Sequence, residues 1–386
     1  MNDFDQLLPL WLKLSNSGED YVQATIVEVE GSGYRKPGAH MLIAADGRRA
    51  GTISGGCLEA EVARKAMWHT ESGTNGTVIR RYSTKAEDGE VPFGMGCGGV
   101  VYVLLERRAT AEPLFEHMRA AFHERQPLAI ATILNGKNAG SRAFWPATRA
   151  HSLASDLNKS LLSLAKEGFD GQRSFSAELC TEDPLAWKIH VQFCSARPGL
   201  FVFGAGDDAV PLVKLARQLG WYVAVADGRS HLVTKARFPE ADDVHVLLPG
   251  DFPELPMRST DAVAIMTHSL EQDTRILTAL IEKQLTYIGV LGPRSRTADM
   301  LVEIAEKLAV PTSKIPHKAA TWLEMLHSPM GLDLGGNTPR EIALAAVAEI
   351  QQCLHRASGI SISKLRATRS ESVAELGTKR ETALQS

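Results

Sequence analysis

Three short segments in the first hundred residues concentrate the residue types that do chemistry. GSGYRKPG (31–38), SGGC (54–57) and GMGCGG (94–99) are glycine-rich loops between apolar runs, and they hold two of the five cysteines. Backbone N–H groups in such loops form anion-binding hollows, and Arg35 and Lys36 add positive charge. Cys57 stands at the start of a helical pattern, where the partial positive charge of a helix N-terminus favours thiolate. Cys97 has Gly96 and Gly98 on either side, so its sulfur can be closely approached. Thiolates beside a cradle of Arg35, Lys36, Ser54, Gly55, Gly56, Gly96 and Gly98 suit a soft metal, or sulfur carried as a persulfide. The same two cysteines also fit small buried residues beside tight turns. Cys180, Cys194 and Cys353 lie outside such loops and read as core.

A second constellation follows Pro198. Gly204-Ala205-Gly206-Asp207-Asp208-Ala209 fits G-x-G-x-x-G/A between an apolar run and a helical pattern, where glycine permits a tight turn and a close approach to a diphosphate. Asp227 closes the next apolar run, where an acid can accept hydrogen bonds from a ribose hydroxyl. Thr267–His268 and Gly292–Arg296 also fall at predicted strand ends. In an open parallel sheet these ends share one crevice. His268 reads either as an acid or base or as a structural residue, and Arg294 and Arg296 suit an anionic ligand or simple solvation. Ser269-x-x-Gln272 and Thr338-x-x-Glu341 read as helix capping boxes, which makes Glu341 a cap and not a base. A glycine turn that binds nothing is the alternative for the whole half.

The elements that must position these residues follow from periodicity. Helical patterns are predicted over 1–18, from Cys57 onward, and over 111–125; strands over 21–31, 77–83, 100–106 and 128–134; and a hairpin over 40–54. The pattern weakens from about 136 to 190. After Pro198 strand and helix alternate, ending in a helix from Pro339 to about Arg356 and a polar tail. Such alternation implies a parallel sheet covered on both faces. The predicted fold is α/β: a C-terminal Rossmann-type doubly wound parallel sheet (198–356) behind an N-terminal α+β domain (1–197), with a tail over 357–386.

Composition narrows the classes. The 386 residues are 44% hydrophobic and 23% charged, with 42 basic against 45 acidic side chains. That balance lacks the basic excess of a nucleic-acid binder, and no polybasic run points to a membrane surface. No window approaches the ~18 apolar residues of a membrane span, and the opening segment is a poor signal peptide. An odd cysteine count without Cys-x-x-Cys argues against a disulfide framework or a zinc ribbon, so reduced thiols in the cytoplasm are expected.

The motifs in this order resemble the xanthine dehydrogenase accessory factor family (XdhC/CoxI). The resemblance rests on the loop ending in Pro37-Gly38, GTISGGCLEAEV (51–62), GMGCGGVVYVLLE (94–106), FVFGAGDDAVPLVKLARQLGWYVAVADGR (201–229), ARFPEAD (236–242), MTHSLEQDTRIL (266–277), YIGVLGPRSRT (287–297) and HSPMGLDLGGNTPREIALAAVAEI (327–350). It implies a chaperone that binds the molybdenum cofactor (molybdopterin) and helps it acquire sulfur from a cysteine desulfurase. The cofactor then passes to an apo molybdenum hydroxylase of the xanthine or carbon monoxide dehydrogenase type. On that reading Cys57 and Cys97 hold or sulfurate the metal centre, while Gly204, Gly206, Asp207, Asp227, His268, Gly292 and Arg294 surround a nucleotide or the cofactor's phosphate. The chain departs from the family pattern at Gly33-Tyr34, where small residues or proline are expected. Two other readings stand beside this one: an NAD(P)-dependent oxidoreductase using His268, and a scaffold without cofactor. A homodimer with facing clefts is expected from the frequency of that arrangement.

Overall fold

The computed structural model describes residues 3–56, 58–71, 73, 75–83, 99–146, 155–180, 186–248 and 255–364. The chain divides into two compact units, Met1–Arg197 and Pro198–Ser386.

The first unit holds two antiparallel sheets. One contains β1 (Tyr21–Glu30), β2 (His40–Ala44), β3 (Arg49–Gly51), β4 (Thr77–Ser83) and β5 (Val100–Arg107), ordered β3-β2-β1-β5-β4. Ile26, Val103 and Leu105 on one face pack against Val62 and Ala66 of α2 (Glu59–Glu71). The other sheet contains β6 (Leu128–Ile133), β7 (Arg142–Trp145), β8 (Phe175–Leu179) and β9 (Trp187–Cys194), ordered β7-β6-β9-β8. Leu161 and Ala165 of α4 (Ser155–Asp170) cover one of its faces. Two further helices, α1 (Phe4–Ser17) and α3 (Arg108–His123), contribute Trp11, Leu14 and Phe115 to a cluster that also takes Leu42 from the first sheet and Ile130 and Phe144 from the second.

The segment from 136 to 190, weakly patterned in the sequence, therefore supplies β7, α4, β8 and β9. Its strands are hard to read because β7 has four residues, and β8, with five, is an edge strand half-buried on one face and exposed on the other.

Polar side chains also meet between the sheets. Gln23 Nε2 and Thr25 Oγ1 lie 3.0 and 3.1 Å from His40 Nδ1, and Gln192 Nε2 lies 3.0 Å from His40 Nε2. Arg142 donates to Glu106 at 2.5 Å and to the Thr110 carbonyl at 2.8 Å. Burial, aided by the nearby Arg142 charge, lowers His40 from 6.5 to about 3, and burial lowers His190 to about 4. Both rings are thus neutral in the folded chain near neutral pH.

The second unit is a parallel sheet of β10 (Gly199–Phe203), β11 (Tyr222–Asp227), β12 (Asp243–Val246), β13 (Ala262–Ile265) and β14 (Tyr287–Val290), ordered β12-β11-β10-β13-β14. Leu200 and Val202 face α5 (Ala209–Gln218) and α9 (Pro339–His355). Phe201 and Phe203 face α6 (Leu270–Leu280), α7 (Arg294–Lys307) and α8 (Ile315–Met325). Helices on both faces explain why these strands read as unbroken apolar runs. The strand order reverses between β10 and β13, so the crevice opens at their carboxyl ends. No helix among the described residues is long and apolar enough to cross a membrane.

Gly204 closes β10 at φ +128°, and a Cβ there would collide with the Met266 carbonyl at the end of β13. Gly204→Ala is expected to lower the unfolding free energy by about 3 kcal/mol or more, measured by urea titration; a change within experimental error would count against the close approach. A second expectation concerns acid. As pH falls from 6.5 toward about 4, the unfolded chain binds protons that folded His40 and His190 refuse. Stability is therefore full above pH 6.5 and declines below it, by up to about 1.4 kcal/mol per pH unit for each ring. A His40→Gln/His190→Gln double variant should flatten that slope, and an unchanged slope would assign it to other groups.

Candidate functional site

In the first unit, Cys57, Cys97, Gly96 and Gly98 lie outside the described residues. Their described neighbours along the chain meet the 31–38 loop. A Cβ built on Gly55 would stand 3.6 Å from the Tyr34 ring, and one on Gly99 would collide with the Ser32 carbonyl. Tyr34 itself is 74% exposed. Gly55 and Gly99 thus both lie against the 31–38 loop, a juxtaposition that sequence spacing does not reveal.

The turn before α2 is held by a buried acid. Glu59 accepts from the Thr52 and Ser54 hydroxyls and from the backbone N–H groups of Ile53 (3.2 Å) and Ser54 (2.8 Å). Ser54 Oγ accepts in turn from the N–H groups of Gly56 (3.2 Å) and Leu58 (3.0 Å). Burial alone would raise the Glu59 carboxyl, but the donors of Ser54 and Thr52 outweigh it and hold it at about 2. Four of the local N–H groups, those of Ile53, Ser54, Gly56 and Leu58, are thus already bonded within the turn. What the turn leaves open is the surface of Gly56, at φ +110° with nothing near a built Cβ. Arg35 pairs with Asp3 at 2.9 Å, whereas exposed Lys36 enters no ion pair among the described residues.

In the second unit the strand ends do bring the expected residues to one edge. Asp227, fully buried, accepts from the Ala205 N–H (2.6 Å), the Arg229 N–H (2.8 Å) and the Arg229 guanidinium (2.7 and 3.0 Å). Burial is the largest single influence and would raise its carboxyl, but the bonds from Arg229 and the Ala205 N–H together lower it. Both oxygens are engaged, so in this arrangement the carboxylate is not available to a ribose hydroxyl. Asp207 pairs with Arg237 at 2.5 Å, and Arg237 also donates to the Ala205 carbonyl at 3.2 Å.

His268 adopts a left-handed backbone at φ +61°, and its Nε2 lies 3.4 Å from Asp208. The ring stands over Gly206, where a built Cβ would be 3.7 Å away. Arg296 is committed to buried Asp273 at 2.7 Å, and Asp273 also accepts from the Thr267 hydroxyl at 2.6 Å. Arg294 donates to the Ser328 carbonyl at 3.3 Å, beside Gly292 at φ +116°.

Both expected caps form, one of them in altered form. Thr338 and Glu341 make the full reciprocal box. Ser269 accepts from the Gln272 N–H, but its own N–H goes to Thr267 Oγ1, so the second arm of that box is replaced.

The remaining cysteines correct the expectation of core packing in part. Cys194 is buried, Cys180 is exposed, and Cys353 is half-buried. Cys353 Sγ lies 3.8 Å from His327 Nε2, whose Nδ1 lies 3.1 Å from Glu349, which also accepts from the Tyr287 hydroxyl at 2.7 Å. Burial and the Glu349 charge raise the thiol, so the cluster holds a protonated sulfur near neutral pH. Residues 62 and 26 positions apart gave no sequence signal for this group.

Two family models match the chain, one in each unit. That described as the XdhC and CoxI family matches residues 14–83, and that of the XdhC Rossmann domain matches residues 200–350. A Bacillus subtilis (strain 168) protein named as a probable xanthine dehydrogenase subunit is 31% identical over 368 residues, covering 92% of this chain and 99% of that one. The molybdenum cofactor insertion chaperone PaoD of Escherichia coli (strain K12) is 22% identical over 361 residues, covering 90% of this chain and 88% of that one. A crystal structure of a xanthine dehydrogenase from Bacillus halodurans matches with a TM-score of 0.71 and 29% identity, covering 94% of this chain and 98% of that one. With nearly the whole of a relative matched at 31% identity, and both units carrying the corresponding family models, the chain belongs to the XdhC and CoxI family.

Proposed function

We propose that the protein binds the molybdenum cofactor as cargo, assists its sulfuration, and delivers it to an apo hydroxylase of the xanthine or carbon monoxide dehydrogenase type. A cysteine desulfurase supplies the sulfur. The relatives' names support the coarser part of this reading, maturation of a molybdenum enzyme. The observation that carries the finer part is the meeting of Gly55 and Gly99 with the 31–38 loop, because these glycines flank the segments of Cys57 and Cys97. Cys57 and Cys97 are the proposed sulfur ligands, and Lys36 with exposed Tyr34 is the proposed contact for the rest of the cofactor. Soft sulfur and an aromatic face match a dithiolene-bound metal and a pterin. In the second unit, the turn after β10 with His268, Gly292 and Arg294 is the proposed place for a phosphate.

The oxidoreductase reading needs Asp227 for ribose, and that carboxylate is spent on Ala205 and Arg229.

Cys57→Ala is expected to leave the fold and thermal transition unchanged and to abolish activation of a co-expressed apo hydroxylase, with loss of co-purifying molybdenum and pterin. Full activation by the variant would remove this thiol from the mechanism. Calorimetric titration with NAD is expected to show no saturable binding below about 1 mM; saturable binding with turnover would favour the oxidoreductase.

A further inference from the structure

His190 is 3% exposed, and neither of its ring nitrogens has a hydrogen-bond partner. His40, on the neighbouring sheet, has polar atoms of Gln23, Thr25 and Gln192 on its two nitrogens. Leaving a buried polar group unpaired is destabilising, so two unpaired nitrogens on one ring call for an explanation. His190 is one of the residues that line a cavity of about 370 Å³, whose other polar walls are Glu28, Lys36, Ser174 and Ser176. That volume far exceeds the ~30 Å³ share of one water.

The wall chemistry restricts the occupant. Glu28 offers acceptors only, Lys36 donors only, and a neutral imidazole one of each. Neither Glu28 nor Lys36 enters an ion pair among the described residues, so both remain available to a ligand. A simple anion would meet the Glu28 carboxylate, and a divalent cation would meet the Lys36 ammonium. No group of three metal-binding side chains is found among the described residues. A flat, neutral heterocycle with adjacent donors and an acceptor answers all three groups, and Val27, Val29 and Pro37 give it apolar walls.

We propose that this cavity binds the 2-amino-4-oxopyrimidine edge of a fused heterocycle. Glu28 accepts from the ring N–H and the amino group, Lys36 donates to the carbonyl, and His190 pairs with a ring nitrogen. Pterins and guanines both carry this edge. Why a pterin would be present rests on the proposed function, but the site itself does not. His190, Ser174 and Ser176 fall outside the residues matched by either family model, so the family match assigns them no role.

The test uses the full chain and three probes: 6-hydroxymethylpterin, guanosine monophosphate, and lumazine, which lacks the amino group. Pterin fluorescence and calorimetry give the dissociation constants. The pterin or the guanine nucleotide should bind saturably, and whichever binds tighter identifies the source. Lumazine should bind about tenfold more weakly than the pterin, or worse. His190→Leu and Glu28→Gln should each weaken binding by about tenfold or more. His190→Leu removes an unpaired polar group, so its thermal transition should hold or rise, which separates lost binding from lost folding. No saturable binding of either probe, equal binding of lumazine, or unchanged constants in both variants would overturn the proposal. Molybdenum co-purifying with a chain that binds neither probe would sink this site and spare the proposed function. Pterin binding without molybdenum would do the reverse.

Discussion

Buried or half-buried carboxylates hold several backbone segments of this protein in place. Glu59 accepts the N–H groups of Ile53 and Ser54, Asp227 that of Ala205, Asp273 that of Thr267, Asp261 those of Gly199 and Arg258, and Glu349 that of Gly331. A backbone donor on an ionised oxygen makes a short, strong bond, and a buried charge is tolerated only when so satisfied. Each of these segments is thus shaped from beneath by an acid. The glycines keep their outer surface free, while much of the local donor capacity is already taken. In the loop that composition reads as an anion hollow, the N–H groups of Ser54 and Gly56 are already bonded within the turn.

The two units solve the problem of two-sided burial differently. In the second, strands are apolar on both faces because helices cover both. In the first, the two sheets also bury amides, hydroxyls, imidazoles and the Arg142–Glu106 pair. Removing one partner of such a buried pair leaves the other uncompensated, at a cost of about 3–5 kcal/mol. Polar interiors of this kind hold one arrangement tightly where their bonds are complete. Where they are not, as at His190, they leave an unpaired ring at the wall of a cavity.

Much of this is legible in the residues alone. The alternation after Pro198 and the turn at Gly204 point to the second fold, because covered parallel strands must be apolar throughout. The Thr338–Glu341 cap is legible from type and spacing. Less is legible where two buried faces differ in polarity. In β9, Ile189 and Val191 face α4, while His190 and Gln192 point away from it and are buried all the same. Alternation of that kind reads as a solvent-facing strand. In α4, Leu157, Leu161 and Leu164 do carry helical spacing, a usable signal inside a region otherwise without pattern. The place of Asp227 after the second strand suggests a ribose acceptor. The arginine two residues on is the available sign that the carboxylate has another partner.

The end of β10 shows what the Rossmann turn has become. Two carboxylates, Asp207 and Asp208, sit at the N-terminus of α5, where a diphosphate is bound in a dinucleotide site. Arg237 pairs with one and His268 stands beside the other. An incoming phosphate must therefore compete with Asp207 for Arg237, and it finds the ribose acceptor Asp227 already engaged. Competition of that sort lowers affinity and eases departure. An enzyme that keeps a resident dinucleotide gains nothing from it. On the cargo reading proposed above the gain is clear, because a phosphorylated cargo has to be let go as well as taken up.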